Sequence, residues 1–210
     1  MSVQPLEPLP PDVTGQLVSI ERFTFPQLME DHILPAAKAD AAVTDACGEF
    51  VPAMTVFEGV PLEPAFDYLA RTQHLAEWTL SLRNVRLLRD DIFVGDEVAS
   101  PSGRVYMQSV SNRSAFAIGW NCSHTDPDDL WLQYRGLLVD AATALGRPGT
   151  AFFWMNFVHD RVKSDPVYAQ GFKLMFSVHR LEIQNLKKVV EYRFGAPDRA
   201  PDRPSREDSY

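Results

Sequence analysis

The stretch Val60 to Thr79, VPLEPAFDYLARTQHLAEWT, is bounded on both sides by strand-like runs, and this constrains the fold more than any other feature of the chain. Phe50 to Glu58 (FVPAMTVFE) precedes it, and Leu80 to Leu88 follows it. Within it, Pro61 and Pro64 suit a first helical turn, and Ala65, Phe66, Leu69 and Ala70 form one apolar face. Thr72 can cap a second short helix that ends near Trp78. Strands then resume as Arg104 to Val110, Ala115 to His124, Leu130 to Leu145 and Thr150 to His159. Turn-forming residues part them: Ser111 to Ser114, Thr125 to Asp129, and Gly146 to Gly149. After Ser164-Asp165-Pro166 the hydrophobic period becomes helical. Phe172, Met175, Phe176, His179, Ile183, Leu186 and Val190 mark one face of a helix from about Asp165 to Tyr192. This order predicts an α+β domain whose meander forms an antiparallel sheet.

Composition narrows the partners. The net charge is −8, which opposes duplex nucleic acid and anionic membranes, since both need clustered Lys and Arg. The first 20 residues are broken by prolines and acidic residues and have no apolar signal-peptide core, and no apolar run is long enough to span a bilayer. Cys47 and Cys122 form no Cys-x-x-Cys motif and fit a reducing, cytoplasmic setting. The five histidines lack zinc-ligand spacing, and neither a Gly-rich phosphate loop nor a Gly-x-Ser-x-Gly elbow is present. No metal and no cofactor is therefore expected.

Several segments resemble the START-like superfamily (SRPBCC), the polyketide-cyclase, lipid-transfer and Bet v 1-like proteins. They are Val60-Pro61 leading into Ala65-Phe66-Asp67-Tyr68-Leu69, then His74-Leu75-Ala76-Glu77-Trp78, then Gly95-Asp96 as a turn between strands, and Leu186-Lys187-Lys188-Val189-Val190-Glu191 at the helix end. The resemblance spans roughly Phe50 to Tyr192. It implies a helix-grip fold: a curved antiparallel sheet wrapped around a long C-terminal helix, with an internal apolar cavity. On that plan residues 1–48 are an arm plus an extra helical segment, 49–194 the ligand-binding domain, and 195–210 a disordered tail. The superfamily includes cyclases, aromatases, hydrolases and pure carriers, so the resemblance implies a hydrophobic small-molecule substrate or ligand, with an acyl carrier protein among the partners. It brings no catalytic residues with it.

Strand alternation nominates the cavity wall. A hairpin over Thr125 to Asp129 pairs Trp120 with Tyr134 and Cys122 with Leu132, which puts Phe116, Ile118, Trp120, Cys122 and His124 inside. A two-residue turn at Asn112-Arg113 sets Ser109 opposite Phe116 and Met107 opposite Ile118, both inward. A four-residue loop at Gly146 to Gly149 sets Leu138 opposite Phe157 and Gly136 opposite His159, with Met155, Phe153 and Asp140 on that face. One residue of slip would turn Trp154 and Asn156 inward instead. Trp131, Leu137 and Val139 then face outward, which calls for a homodimer through the sheet or for cover by Phe25 to Ala42.

The candidate catalytic groups are Tyr134, His159, His179 and Asp140. A tyrosine hydroxyl can hold a carbonyl oxygen, an imidazole can move a proton near neutral pH, and Asp140 can orient that imidazole. The bland reading gives each a place as a hydrogen-bonded core residue. The candidate substrate-binding residues are Trp78, Met107, Ser109, Trp120, Cys122, Met155, Phe157, Phe172 and Phe176, which pack a core equally well. Two functions follow from this. One is a cofactor-free acid–base enzyme of specialised metabolism acting on an apolar, carbonyl-rich substrate by cyclisation, dehydration or hydrolysis. The other is a carrier of a hydrophobic molecule. Convergent titratable groups in the cavity favour the first, and a purely apolar lining favours the second.

Overall fold

The computed structural model describes residues 6–38, 51–100, 102–159, 162 and 166–195, the side chains at 51–52, 166–173 and 175–176 excepted. It is an α+β domain with one seven-stranded antiparallel sheet. The strands are β1 Val51–Glu58, β2 Leu82–Arg89, β3 Ile92–Glu97, β4 Arg104–Asn112, β5 Ala117–Ser123, β6 Leu132–Asp140 and β7 Gly149–Val158. Their order across the sheet is β1-β7-β6-β5-β4-β3-β2, so all but one of the neighbouring pairs are consecutive in sequence, as a meander requires. Two short N-terminal helices, α1 Pro11–Thr14 and α2 Phe25–Gln27, precede the sheet, and α2 runs on as a π-helical stretch, Leu28–Ile33. Between β1 and β2 come α3 Leu62–Leu69, a 3-10 turn Thr72–His74 and α4 Leu75–Trp78. The Val60 to Thr79 stretch is thus two short helices between strands.

The long helix α6, Pro166–Phe194, packs on the inner sheet face. Its Ile183, Leu186, Val189 and Val190 share one core with Phe57, Met107, Trp120, Leu138 and Trp154 from the strands. Polar side chains of α6 fasten it to the backbone of neighbouring segments. Glu182 accepts the Leu80 N–H (3.1 Å), Glu191 accepts the Glu58 N–H (2.6 Å), and Asn185 donates to the carbonyls of Trp78 (3.1 Å) and Val18 (2.7 Å). Each bond pairs a polar α6 side chain with a main-chain group in a buried or half-buried setting, where unpaired polar groups are costly.

Three expectations about turns are corrected. Gly95 and Asp96 are no turn. They pair with Val105 and Arg104 inside β3, and the turn lies at Asp90, whose φ is +45°. Gly95 serves packing instead, because a Cβ there would meet Leu82 Cδ1 at 2.4 Å. The β4–β5 connection is a 3-10 turn, Arg113–Ala115, started by Asn112 accepting the Ser114 N–H. Ser109 therefore opposes Trp120 and Met107 opposes Cys122, a shift that preserves their face. Finally, β6 stops at Asp140, and Ala141–Leu145 forms α5. Asp140 caps α5 by accepting the N–H groups of Ala142 and Thr143, both at 3.2 Å.

That last change moves β7. Leu138 pairs with Phe152 rather than Phe157, and Gly136 with Trp154 rather than His159. The shift is odd-numbered, so Phe152, Trp154 and Asn156 point inward while Phe153, Met155 and Phe157 point outward. The space beside Gly136 is filled by the Phe152 ring, which a Cβ would meet at 2.6 Å.

Residues 25–38 do not cover the outer sheet face. Leu28 and Ile33 pack with Leu80 against Leu174, Val178 and Leu181 of α6. Part of the outer face is covered by α5, where Ala141 meets Val56 and Ala151. Residues 39–42 of the expected cover, Cys47 and the tail beyond Gly195 lie outside the described residues.

Candidate functional site

The inner face of β4 to β7 carries a contiguous patch of large side chains. Trp120, Tyr134 and Asn156 stand in one row across β5, β6 and β7, as Trp120↔Tyr134 and Tyr134↔Asn156 pairs. Trp154 sits two residues along β7, on the same face. Trp78, at the end of α4, meets Trp154 edge-on at 5.3 Å. From α6, His179 stacks on Trp154 at 4.5 Å and meets Tyr134 edge-on at 5.4 Å. These contacts bring together four sequence candidates: Trp78, Trp120, Tyr134 and His179. Met107 and Cys122 flank them as a register pair.

A cavity of about 80 Å³ lies beside this patch, with Trp120, Tyr134, Trp154, Met107 and Cys122 on its wall. Glu97, Glu182 and His124 line it as well; His124 was expected on this inner face, and neither glutamate was among the candidates. Burial pushes the Glu182 carboxyl up to about 8; the Leu80 N–H opposes that shift, and the charge of Glu97 adds to it. Burial also raises Glu97, against its hydrogen bonds from the Ser81 hydroxyl and the Ala99 N–H (3.0 Å). Glu182 is therefore largely protonated at neutral pH, and the charge of Glu97 helps to keep it so. Two carboxyls that share a cavity, one held protonated with the help of the other's charge, can act as an acid and a base.

The imidazoles fit that work less well. Burial pushes His179 down to about 3, so it is neutral throughout the physiological range. It packs as a flat ring between Tyr134 and Trp154. Burial also lowers His124. Burial raises the Cys122 thiol, which makes it a small hydrophobe rather than a nucleophile.

Five candidates stand away from the cavity. His159 is exposed at the end of β7, where its N–H donates to the Trp131 carbonyl (3.0 Å), because the β7 register turned it away from Gly136. Asp140 is exposed and occupied with capping α5, so it orients no imidazole. Met155 and Phe157 lie on the outer face, Phe157 being 42% exposed. Ser109 is half-buried, and its hydroxyl donates to the Ala70 carbonyl at 3.5 Å. The side chains of Phe172 and Phe176 lie outside the described set. Trp131, expected outside, is buried in the main core, whereas Leu137 is 40% exposed on the outer face as expected.

Glu182 had left a signal. It stands three residues after His179 and four before Leu186, within the apolar stripe of α6. Glu97 was hidden by reading Gly95-Asp96 as a turn. A larger outer groove of about 440 Å³, lined by Met54, Leu137, Phe153 and Met155, holds no titratable side chain and offers no chemistry. Among the described residues, no cluster of three or more His, Cys, Asp or Glu is placed to hold a metal ion, and no helix is long and apolar enough to cross a membrane.

No protein-family model matches the chain, and no curated protein matches its sequence. A solved structure does share its fold. An uncharacterised protein from Bacillus thuringiensis aligns with a TM-score of 0.50 at 10% identity, over 67% of this chain and 98% of that one. A protein from Thermus thermophilus aligns at 0.49 and 11% identity, over 69% and 98% of the two chains. At such identity the first shows the fold alone.

Proposed function

We propose that the chain is a helix-grip protein of START-like kind, and a cofactor-free acid–base catalyst for a small, neutral carbonyl compound. The observation that carries this is the pair Glu97 and Glu182, brought from β3 and α6 to one cavity with both carboxyls raised. Ionised Glu97 takes a proton from the carbon beside the carbonyl. Protonated Glu182 gives its proton to the carbonyl oxygen, and the product is an enol. Trp120, Trp154 and Tyr134 form the wall, in the cavity expected for an apolar, carbonyl-rich substrate. A cavity of about 80 Å³ suits a molecule of a few heavy atoms, well below the ~300 Å³ at which pockets for larger ligands begin.

The test is exchange of the protons beside the carbonyl of 2-butanone in D2O, followed by proton NMR. The protein should accelerate it, and Glu97→Gln and Glu182→Gln should each lower the rate by ~10²-fold or more. The rate should fall above about pH 8, as Glu182 ionises. It should also fall on the acid side, as Glu97 gains its proton. A wild-type rate equal to that of both variants would remove the catalytic reading and leave the carrier. For the exposed apolar outer face, a homodimer remains our proposal, and sedimentation equilibrium is its test.

A further inference from the structure

Polar atoms are left without partners on the same inner face, and their positions say what a ligand must offer. Asn156 is fully buried, and neither its amide nitrogen nor its amide oxygen has a hydrogen-bond partner. The indole N–H groups of Trp120 and Trp154, both residues more than nine-tenths buried, are unpartnered too. Buried polar groups are paired as a rule, so three orphaned side chains on one patch need an explanation. They are not scattered. Asn156 and Trp120 flank Tyr134 in one row, and Trp154 is the inward neighbour of Asn156 on β7.

We propose that this patch recognises a neutral hydroxy carbonyl compound, its carbonyl oxygen taken by the indole donors and its hydroxyl by the Asn156 amide. The inference rests on reading the adjoining cavity as a site for small carbonyl compounds, and it adds the hydroxyl. The donors exclude a plain hydrocarbon, which would leave them unsatisfied. The charge of Glu97 on the wall opposes an anion. A cation would satisfy neither indole, since an N–H can only donate. The amide oxygen of Asn156 requires a donor from the ligand, and a hydroxyl next to a carbonyl supplies one within a small volume.

Hydroxyacetone and 2-butanone make the matched pair, since they differ by hydroxyl against methyl at nearly equal size. Both are titrated into the ¹⁵N-labelled protein, with the assigned indole ¹H–¹⁵N signals as the readout. Hydroxyacetone should bind at least ~10-fold more tightly than 2-butanone, because a site built to bond a hydroxyl penalises its absence. The Trp120 and Trp154 signals should move, while those of Trp131 and Trp78 stay. Asn156→Leu should abolish the preference and keep 2-butanone binding. The wild-type comparison stands alone if that variant does not fold. Equal binding, or tighter 2-butanone, overturns the hydroxyl inference and leaves the cavity reading intact. Failure of both compounds to bind at millimolar concentration overturns the inference together with the function it rests on. Hydroxyacetone binding without exchange of 2-butanone supports recognition and removes catalysis.

Discussion

Glu182 and His179 lie three residues apart on α6, and both are buried at the cost of their charged forms. The consequences for stability run in opposite directions. The folded state holds the Glu182 proton up to about pH 8, whereas an ordinary glutamate releases it near 4.5. Between those values the folded chain binds more protons than the unfolded one, so stability falls as pH rises. His179 is kept neutral down to about 3 against an ordinary 6.5, so its contribution is lost as pH falls through that window. Together they place the stability maximum between about 4.5 and 6.5. From pH 6.5 to 8 the wild type should lose on the order of 2 kcal/mol relative to Glu182→Gln, read from urea unfolding at each pH. Parallel slopes for the two proteins would mean that Glu182 does not hold its proton in the fold. The Trp120–Tyr134 pairing was legible because Thr125 to Asp129 is a strong turn that fixes its register. The paired carboxyls were not, because pattern reading assigns an acid to solvent unless its position on an apolar stripe is weighed first.

Among the elements, the long helix and the two short ones could be read directly from their periods. The last hairpin could not, for a physical reason. Both faces of β7 are apolar, Phe153, Met155 and Phe157 on one side and Phe152 and Trp154 on the other, so alternation cannot choose between them. What decides is the length of the connection, and Ala141–Leu145 reads as strand or helix until Asp140 is recognised as its cap. Asp140→Ala should therefore act on α5 alone. It should lower the melting temperature by roughly 2–4 °C, the usual effect of a lost cap in a chain of this size. Exchange of 2-butanone should be unchanged. A loss of exchange at constant melting temperature would return Asp140 to the site.

At the scale of the whole molecule, the sheet and α6 are held from both sides. The strands pack on one side of α6 and the N-terminal segment on the other. Leu28 and Ile33 bury against Leu80 with Val178 and Leu181 beside them, while Val13 and Leu17 are buried as well. Polar bonds fasten the same segment. Asn185 takes the Val18 N–H (3.0 Å) and donates to the Val18 carbonyl, Lys188 donates to the Gln16 carbonyl (2.7 Å), and Arg193 to that of Glu7 (2.9 Å). Asn185 and Glu182 also hold the backbone at Trp78 and Leu80, so the segment supports the helix that carries the acid of the site. The extra segment thus stabilises the position of Glu182 without touching the cavity. Leu28, only 1% exposed, reports on this. Leu28→Ala should cost ~2–5 kcal/mol in chemical unfolding, the range for a buried leucine. Removal of residues 1–38 should go further, since it uncovers Leu80 and strips Asn185 of two partners. The shortened chain should bind an apolar dye such as ANS, aggregate on warming, and exchange 2-butanone more slowly than the full chain. If it melts at the full-length temperature with exchange intact, the segment is an appendage and α6 is held by the sheet alone.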